Sequence, residues 1–322
     1  MVVTSSDGPT QERGALPSGV TITTLHGHRP GPIVSLLGGV HGDEDEGVLA
    51  VLRILDELRT SELTGTIRAV ATASPVAWAA RSRVNPLDGE NLARCFPGTG
   101  GEGPTPQLAA DITRNLITGA DLLIDLHSAG MRYRMPLVCG FVDSVEAADR
   151  SRRAAETFGT PLIWAHTDPS PGRSLSVAAE LGVPAIYAEC SGGGGIRHDE
   201  LDTYVSGVLA VLADLHMLPN TRHTGDRKEP RWVYGCGDLD VGMQAKRDGL
   251  FASTVDAGDI VNVGDEIGRC YDYQGHLLEV VRAPRPGMVM FLRRQARTLA
   301  EDVLFVLADL TSRQEYSWHP KG

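Results

Sequence analysis

Between Val20 and Leu212 short apolar runs alternate with longer segments whose apolar residues recur at helical spacing, and this alternation constrains the fold most. A strand is predicted at Val20–Leu25, with His26-Gly-His28-Arg-Pro-Gly-Pro32 as the turn into a second strand at Ile33–Leu37. That second run is apolar and bounded by glycines, the pattern of a strand buried on both faces. Gly47–Leu58 then carries Val48, Val51, Leu52, Leu55 and Leu58 along one helical face. Further on, strands are predicted at Ile67–Ala73, Leu122–Leu126 and Pro184–Ala188. Helices are predicted at Gln107–Ile117, Val145–Phe158, Ser174–Leu181 and Leu201–Leu212. Strands and helices in alternation over short connections give an α/β fold built on a mainly parallel sheet flanked by helices.

The pattern changes after Leu218. The stretch 218–231, most of it Pro219 to Pro230, is polar and rich in turn residues and reads as a linker between an α/β domain at 17–217 and a β-rich domain at 232–322. In the second domain, short strands are punctuated by Gly-Asp turns, as in Val255 to Gly268 and Val281 to Val289. This layout resembles the lipoyl/biotinyl-type barrel-sandwich. Carriers of that fold present a lysine on the hairpin between their halves, whereas Tyr271-Asp-Tyr-Gln-Gly-His276 has none. Residues 1–16, polar and rich in Gly and Pro, are expected to be a disordered leader, with no apolar segment of signal-peptide type.

A formal charge of −11 argues against general binding to nucleic acid or an anionic membrane, and no apolar run approaches the length of a membrane span. The five cysteines are scattered without a CxxC pair. An odd number with no export signal points to free thiols in a reducing cytoplasm.

The chemistry begins at His41-Gly-Asp-Glu44, which follows directly on the run Ile33 to Val40. A histidine and a carboxylate three residues apart at the end of a buried strand can converge on one cation. His127, in Ile124-Asp-Leu-His127, closes a second apolar run and offers a third ligand. Two histidines and a glutamate form a ligand set of catalytic zinc, which keeps a position open for water. Asp125 shares a strand face with His127 and could orient it, or serve as an ordinary hydrogen-bonding group at the sheet edge. Glu189 closes the run Ile186-Tyr-Ala-Glu189. An isolated glutamate there would read as a cap, but beside a metal it can act as base and then as acid. Ligands in α/β sheets gather at the carboxyl ends of strands, where His41, Glu44, His127 and Glu189 are all predicted to lie.

The segment from Arg81 to Gly98 has turn chemistry throughout, so its arginines are expected to project from loops. One arginine near a metal can polarise a carbonyl and another can clamp a carboxylate, while Arg81 reads as an ordinary surface charge. His26, His28, His166, His216 and His223 are read as structural. Gly192 to Gly195 lack the GK[ST] of a phosphate loop, and Cys190 has no evident histidine partner as a nucleophile.

Four segments together resemble the succinylglutamate desuccinylase/aspartoacylase family of the zinc carboxypeptidase-like clan: Gly39 to Gly47, Asp88 to Gly98, Asp125-Leu-His127 and Tyr187-Ala-Glu189. The resemblance runs from about Gly19 to the C-terminus. It implies a zinc-carboxypeptidase-like mixed sheet with a β-rich domain capping the substrate pocket. It also implies one Zn2+ held by His41, Glu44 and His127, with Glu189 as general acid/base. By the same resemblance Arg83 polarises the scissile carbonyl, Arg94 contacts a substrate carboxylate with Asn91 beside it, and Arg173 is a candidate for a second carboxylate.

The family's Asn-Leu-Asn-Arg is here Asn91-Leu-Ala93-Arg94, so one amide that helps grip a carboxylate is missing. With its long tail the chain more closely resembles deacetylases of N-acetylated diamino acids, such as N-acetyl-diaminobutyrate deacetylase. The expectation is therefore a cytoplasmic zinc amidohydrolase acting on a small N-acyl amino acid, with homo-oligomers common among its relatives. The rivals are a carboxypeptidase acting on short peptides and a non-catalytic ligand-binding protein on the same scaffold.

Overall fold

The computed structural model describes residues 9–59, 62–99, 101–219, 229–235 and 237–310. Its first half forms β1 (Thr10–Ala15), β2 (Thr21–His26), β3 (Arg29–Gly38), α1 (Asp45–Leu58), β4 (Thr64–Val70), α2 (Pro75–Ala79), α3 (Pro104–Ile112) and β5 (Leu122–Ser128). Then come β6 (Tyr133–Arg134), β7 (Val138–Val142), α4 (Ala148–Phe158), β8 (Leu162–His166), α5 (Ser174–Glu180), β9 (Ala185–Cys190), α6 (His198–Asp214) and β10 (Arg231–Tyr234). These strands make one nine-stranded sheet in the order β1-β2-β4-β3-β5-β9-β7-β8-β10, with β6 outside it. The block β4-β3-β5-β9 is parallel, as is β7-β8-β10, and the two blocks meet antiparallel at β9 and β7.

Strand alternation assigns the two faces. Leu36, Ile124, Leu126, Ile186 and Ala188 pack under α1, α4 and α6 in one core. Leu37, Leu123 and Ala185 point the other way and pack with α3 and α5 in a second core. Each fully buried Leu or Ile in these cores contributes roughly 1.5–3 kcal/mol. Helix α1 starts hard against the sheet because position 47 is glycine: a Cβ there would lie 2.0 Å from the Leu126 carbonyl oxygen. This close approach carries Glu44 over the end of β5.

The C-terminal part adds β11 (Met243–Gln244), β12 (Gly249–Ser253), β13 (Ile260–Val261), β14 (Glu266–Tyr271), β15 (Leu277–Arg282), β16 (Gly287–Arg293), β17 (Arg297–Thr298) and β18 (Val303–Ala308). They form two antiparallel sheets, β11-β18-β16-β13 and β15-β14-β12-β17, around a core containing Phe251, Ile267, Val281, Val289 and Phe305. This agrees with the expected barrel-sandwich-like domain, and 271–276 is the hairpin between β14 and β15.

Several expectations need correction. Residues 10–15 are not part of a disordered leader: they form β1, whose backbone pairs with β2 along its whole length. Residues 1–8, and 220–228 of the expected linker, lie outside the described residues. The boundary at 232 is not a clean cut either. Strand β10 completes the large sheet beside β8, and β6, from the α/β part, pairs with β16. The predicted strand at 67–73 sits three residues earlier, at Thr64–Val70. The helix expected at 107–117 begins at Pro104 and ends in a π turn over Thr113–Ile117. No described helix is long and apolar enough to cross a membrane.

Candidate active site

The register of β5 and β9 pairs His127 with Glu189, and Gly38 at the end of β3 pairs with Leu126. The loop after β3 therefore delivers His41 and Glu44 to the same sheet edge. Ligand atoms of His41, Glu44 and His127 lie within 4.8 Å of one another, and all three side chains are buried. The His41 and His127 ring centroids are 5.3 Å apart.

The donors suit a divalent cation. His41 Nδ1 is 2.7 Å from Glu44 Oε1, yet it is a buried atom with no aligned hydrogen bond, the arrangement of two ligands turned toward a common point. His127 Nδ1 lies 2.9 Å from Glu44 Oε2. Each ring's other nitrogen is engaged behind the site. His41 Nε2 donates to Asn91 Oδ1 at 3.1 Å, and His127 Nε2 faces Asp125 Oδ1 at 3.1 Å. Asp125 in turn accepts a short bond from the Ser174 hydroxyl. Such partners fix the ring orientation and turn each Nδ1 toward the Glu44 carboxylate.

Electrostatics follow from packing these charges in a buried site. Burial, assisted by Arg83, pushes His41 down to about 4. Burial also opposes ionisation of Glu44, but His41 and His127 outweigh it and hold the carboxyl well below its usual range. His127 is raised well above the usual histidine value because Asp125 and Glu44 overcome its burial. Glu189 is pushed up to about 8 by burial and then by Glu44, with His127 and Arg83 pulling the other way. Its Oε2 is buried without a hydrogen-bond partner.

Arg83 donates from Nη1 to Glu44 Oε1 at 3.0 Å and lines the pocket with His41, His127 and Glu189. Asn91, expected beside the substrate, lies against the His-Glu-His cluster. Its Oδ1 holds His41 and caps Ala93 N at 3.0 Å, while Ala93 and Arg94 face the pocket. Arg94 Nε donates to Asp240 Oδ2 at 2.7 Å. Arg173 Nη2 bonds Asp238 and, at 2.8 Å, Asp240. Both expected carboxylate-binding arginines are thus already paired with a turn of the C-terminal part.

Tyr187, His166, Asp238 and Asp240 were not singled out as site residues from sequence. Tyr187 shares the face of β9 with Glu189, a signal that strand alternation carries. Its hydroxyl lies 2.8 Å from His166 Nε2, across β7, at a position where Gly140 leaves room for the ring. His166, read as structural, is pocket wall: burial pushes it down to about 4, so it is neutral. The pocket thus runs along the sheet face from the His-Glu-His cluster, past Glu189 and Tyr187, to Trp164 and His166. Asp238, Leu239 and Phe291 of the C-terminal part also line it.

Residues 30–215 match the family model of the succinylglutamate desuccinylase/aspartoacylase catalytic domain. The chain is 30% identical over 285 residues to the N-alpha-acetyl-L-2,4-diaminobutyric acid deacetylase of Halomonas elongata, covering 87% of this chain and 83% of that protein. Among solved structures, a succinylglutamate desuccinylase/aspartoacylase from Rhodobacter sphaeroides superposes with TM-score 0.80 at 25% identity, over 97% of this chain and 99% of that one. The product-bound ectoine utilization protein EutE (DoeB) of Ruegeria pomeroyi superposes with TM-score 0.82 at 23% identity, over 96% and 98% of the two chains.

Proposed function

Because the chain belongs to the succinylglutamate desuccinylase/aspartoacylase family, we propose that it is a zinc-dependent amidohydrolase that releases a small acyl group from an N-acyl amino acid. A relative that deacetylates an N-acetylated diamino acid supports acetyl as the acyl group and a diamino acid as the leaving amine. The observation that carries the reading is Glu189: a buried carboxyl with an unpartnered oxygen beside three convergent metal donors.

His41, Glu44 and His127 would hold the zinc through two Nδ1 atoms and one carboxylate. Zinc in such a site supplies a Lewis acid and lowers the pKa of water. Glu189 takes the proton of the attacking water and returns it to the departing nitrogen, acting first as general base and then as general acid. Arg83 donates to the oxygen of the scissile carbonyl as negative charge develops there. Asp125, Ser174 and Asn91 hold the histidines in place. The wall formed by Asp238, Leu239 and Phe291 favours a small substrate over the end of a peptide. Unpaired cysteines at positions 95, 139, 190 and 270 accord with a cytoplasmic setting.

Glu189→Gln tests the mechanism. Turnover should fall by about 10²–10⁴-fold, with metal analysis still finding zinc bound as in the wild type. A variant that keeps most of its activity, or loses its zinc along with it, would refute the role of Glu189.

A further inference from the structure

The chain carries an arginine pair where its resemblance implies carboxylate binding, and the structure cancels that pair's charge. Asp238 and Asp240 flank Leu239 on a short 3-10 turn, with Asp238 Oδ1 accepting from the Asp240 amide at 2.8 Å. The turn projects both carboxylates onto the arginines. Arg94 is 2.7 Å from Asp240 and 3.7 Å from Asp238. Arg173 bonds Asp238 and lies 2.8 Å from Asp240, and its Nη1 donates to the Pro171 carbonyl at 2.6 Å. Arg94 and Arg173 hold Asp240 in its ionised form against the cost of its partial burial. Two cations therefore face two anions at the wall of the pocket.

Among the described residues, the rest of the pocket wall offers no free cation for a second anion. His166 is neutral, and the negative charge of Asp238 acts on both His166 and Tyr187. Among the described residues lining the pocket, the one further arginine is Arg83, which is bonded to Glu44. Arg94 can still receive one carboxylate, because its Nη2 is only loosely paired with Asp238. A second carboxylate would have to displace an aspartate from Arg173 and then lie beside it. Placing like charges together is an established way for a site to reject a competing ligand.

We propose that Asp238 and Asp240 are specificity-determining residues that admit N-acyl amino acids with a neutral or cationic side chain and exclude those with a second carboxylate. This rests on the pocket being that of an N-acyl amino acid deacylase.

An isosteric pair isolates the charge. On zinc-loaded full-length protein, kcat/KM is measured for Nα-acetylglutamine and Nα-acetylglutamate in the wild type, Asp238→Asn, Asp240→Asn and the double variant. The wild type should prefer the glutamine substrate by about tenfold or more. The variants should shrink that ratio, mainly through a lower KM for the glutamate substrate. Equal use of both by the wild type, or parallel losses that leave the ratio intact, overturns the proposal. Calorimetric binding of free glutamine and glutamate to the same proteins reads the selectivity without turnover. A wild type that hydrolyses neither substrate yet prefers glutamine would count against the deacylase reading and leave the selectivity standing. A wild type that binds both equally would sink the selectivity alone. Asp240→Asn, the more exposed position, keeps the test usable should Asp238→Asn fail to fold.

Discussion

At the scale of single residues, the side chains that can hold a metal were legible because each closes an apolar run. His41, Glu44, His127 and Glu189 needed only the placement of three strand ends. The residues behind them were not legible, because their partners are distant in sequence: Asn91 reaches back 50 positions to His41, and Ser174 reaches 49 to Asp125. His166 illustrates how a partly buried titratable group shapes stability. Its ordinary value of 6.5 is lowered to about 4, chiefly by burial. Between those values the unfolded chain takes up a proton that the folded chain refuses, so stability falls as pH drops from about 6.5 to about 4. The loss is at most about 3 kcal/mol. His166→Asn should be less stable at pH 8, having lost its bond to Tyr187. Its urea midpoint should then decline less between pH 6.5 and 4 than that of the wild type. An equally steep decline would remove His166 as the cause.

At the scale of elements, α1, α4, α5, α6, β3, β5 and β9 fall close to where periodicity places them. Strands β7 and β8 were missed. Val138–Val142 and Leu162–His166 are short and are covered on both faces, so they lack the alternation that marks a half-exposed strand. That omission concealed half of the pocket, since β8 supplies Trp164 and His166 and β7 supplies the gap for Tyr187. A Cβ at position 140 would lie 2.1 Å from the Tyr187 ring. Gly140→Ala should therefore push the ring aside, breaking its bond to His166 at a cost of about 1–3 kcal/mol. Its KM should rise more than its kcat falls, because the displaced group lies away from the metal donors. An unchanged Tm and KM would show that the strand yields instead.

At the scale of the whole molecule, the C-terminal part is no detachable lid. Strand β10 is the last strand of the large sheet, β6 extends the second sheet, and Val138, Leu162 and Trp164 share a core with Met288, Met290 and Phe291. Truncation after Pro230 should expose the edge of β8 together with that core, an aggregation hazard. The soluble yield should collapse, and any soluble remainder should bind an apolar dye and lack a sharp thermal transition. A soluble fragment that unfolds cooperatively would show instead that the α/β part is an independent domain.

The sequence by itself determined the sheet class, the β-rich tail and the four residues, His41, Glu44, His127 and Glu189, that gather at one sheet edge. Those follow from local periodicity and from residues that terminate strands. Only the tertiary structure decided what surrounds that chemistry: the antiparallel junction at β7, the tyrosine lying over Gly140, and the turn that sets Asp238 and Asp240 against Arg94 and Arg173. Each depends on side chains from elements up to 146 residues apart meeting in space, and hydrophobic periodicity carries no information about which distant charges will meet.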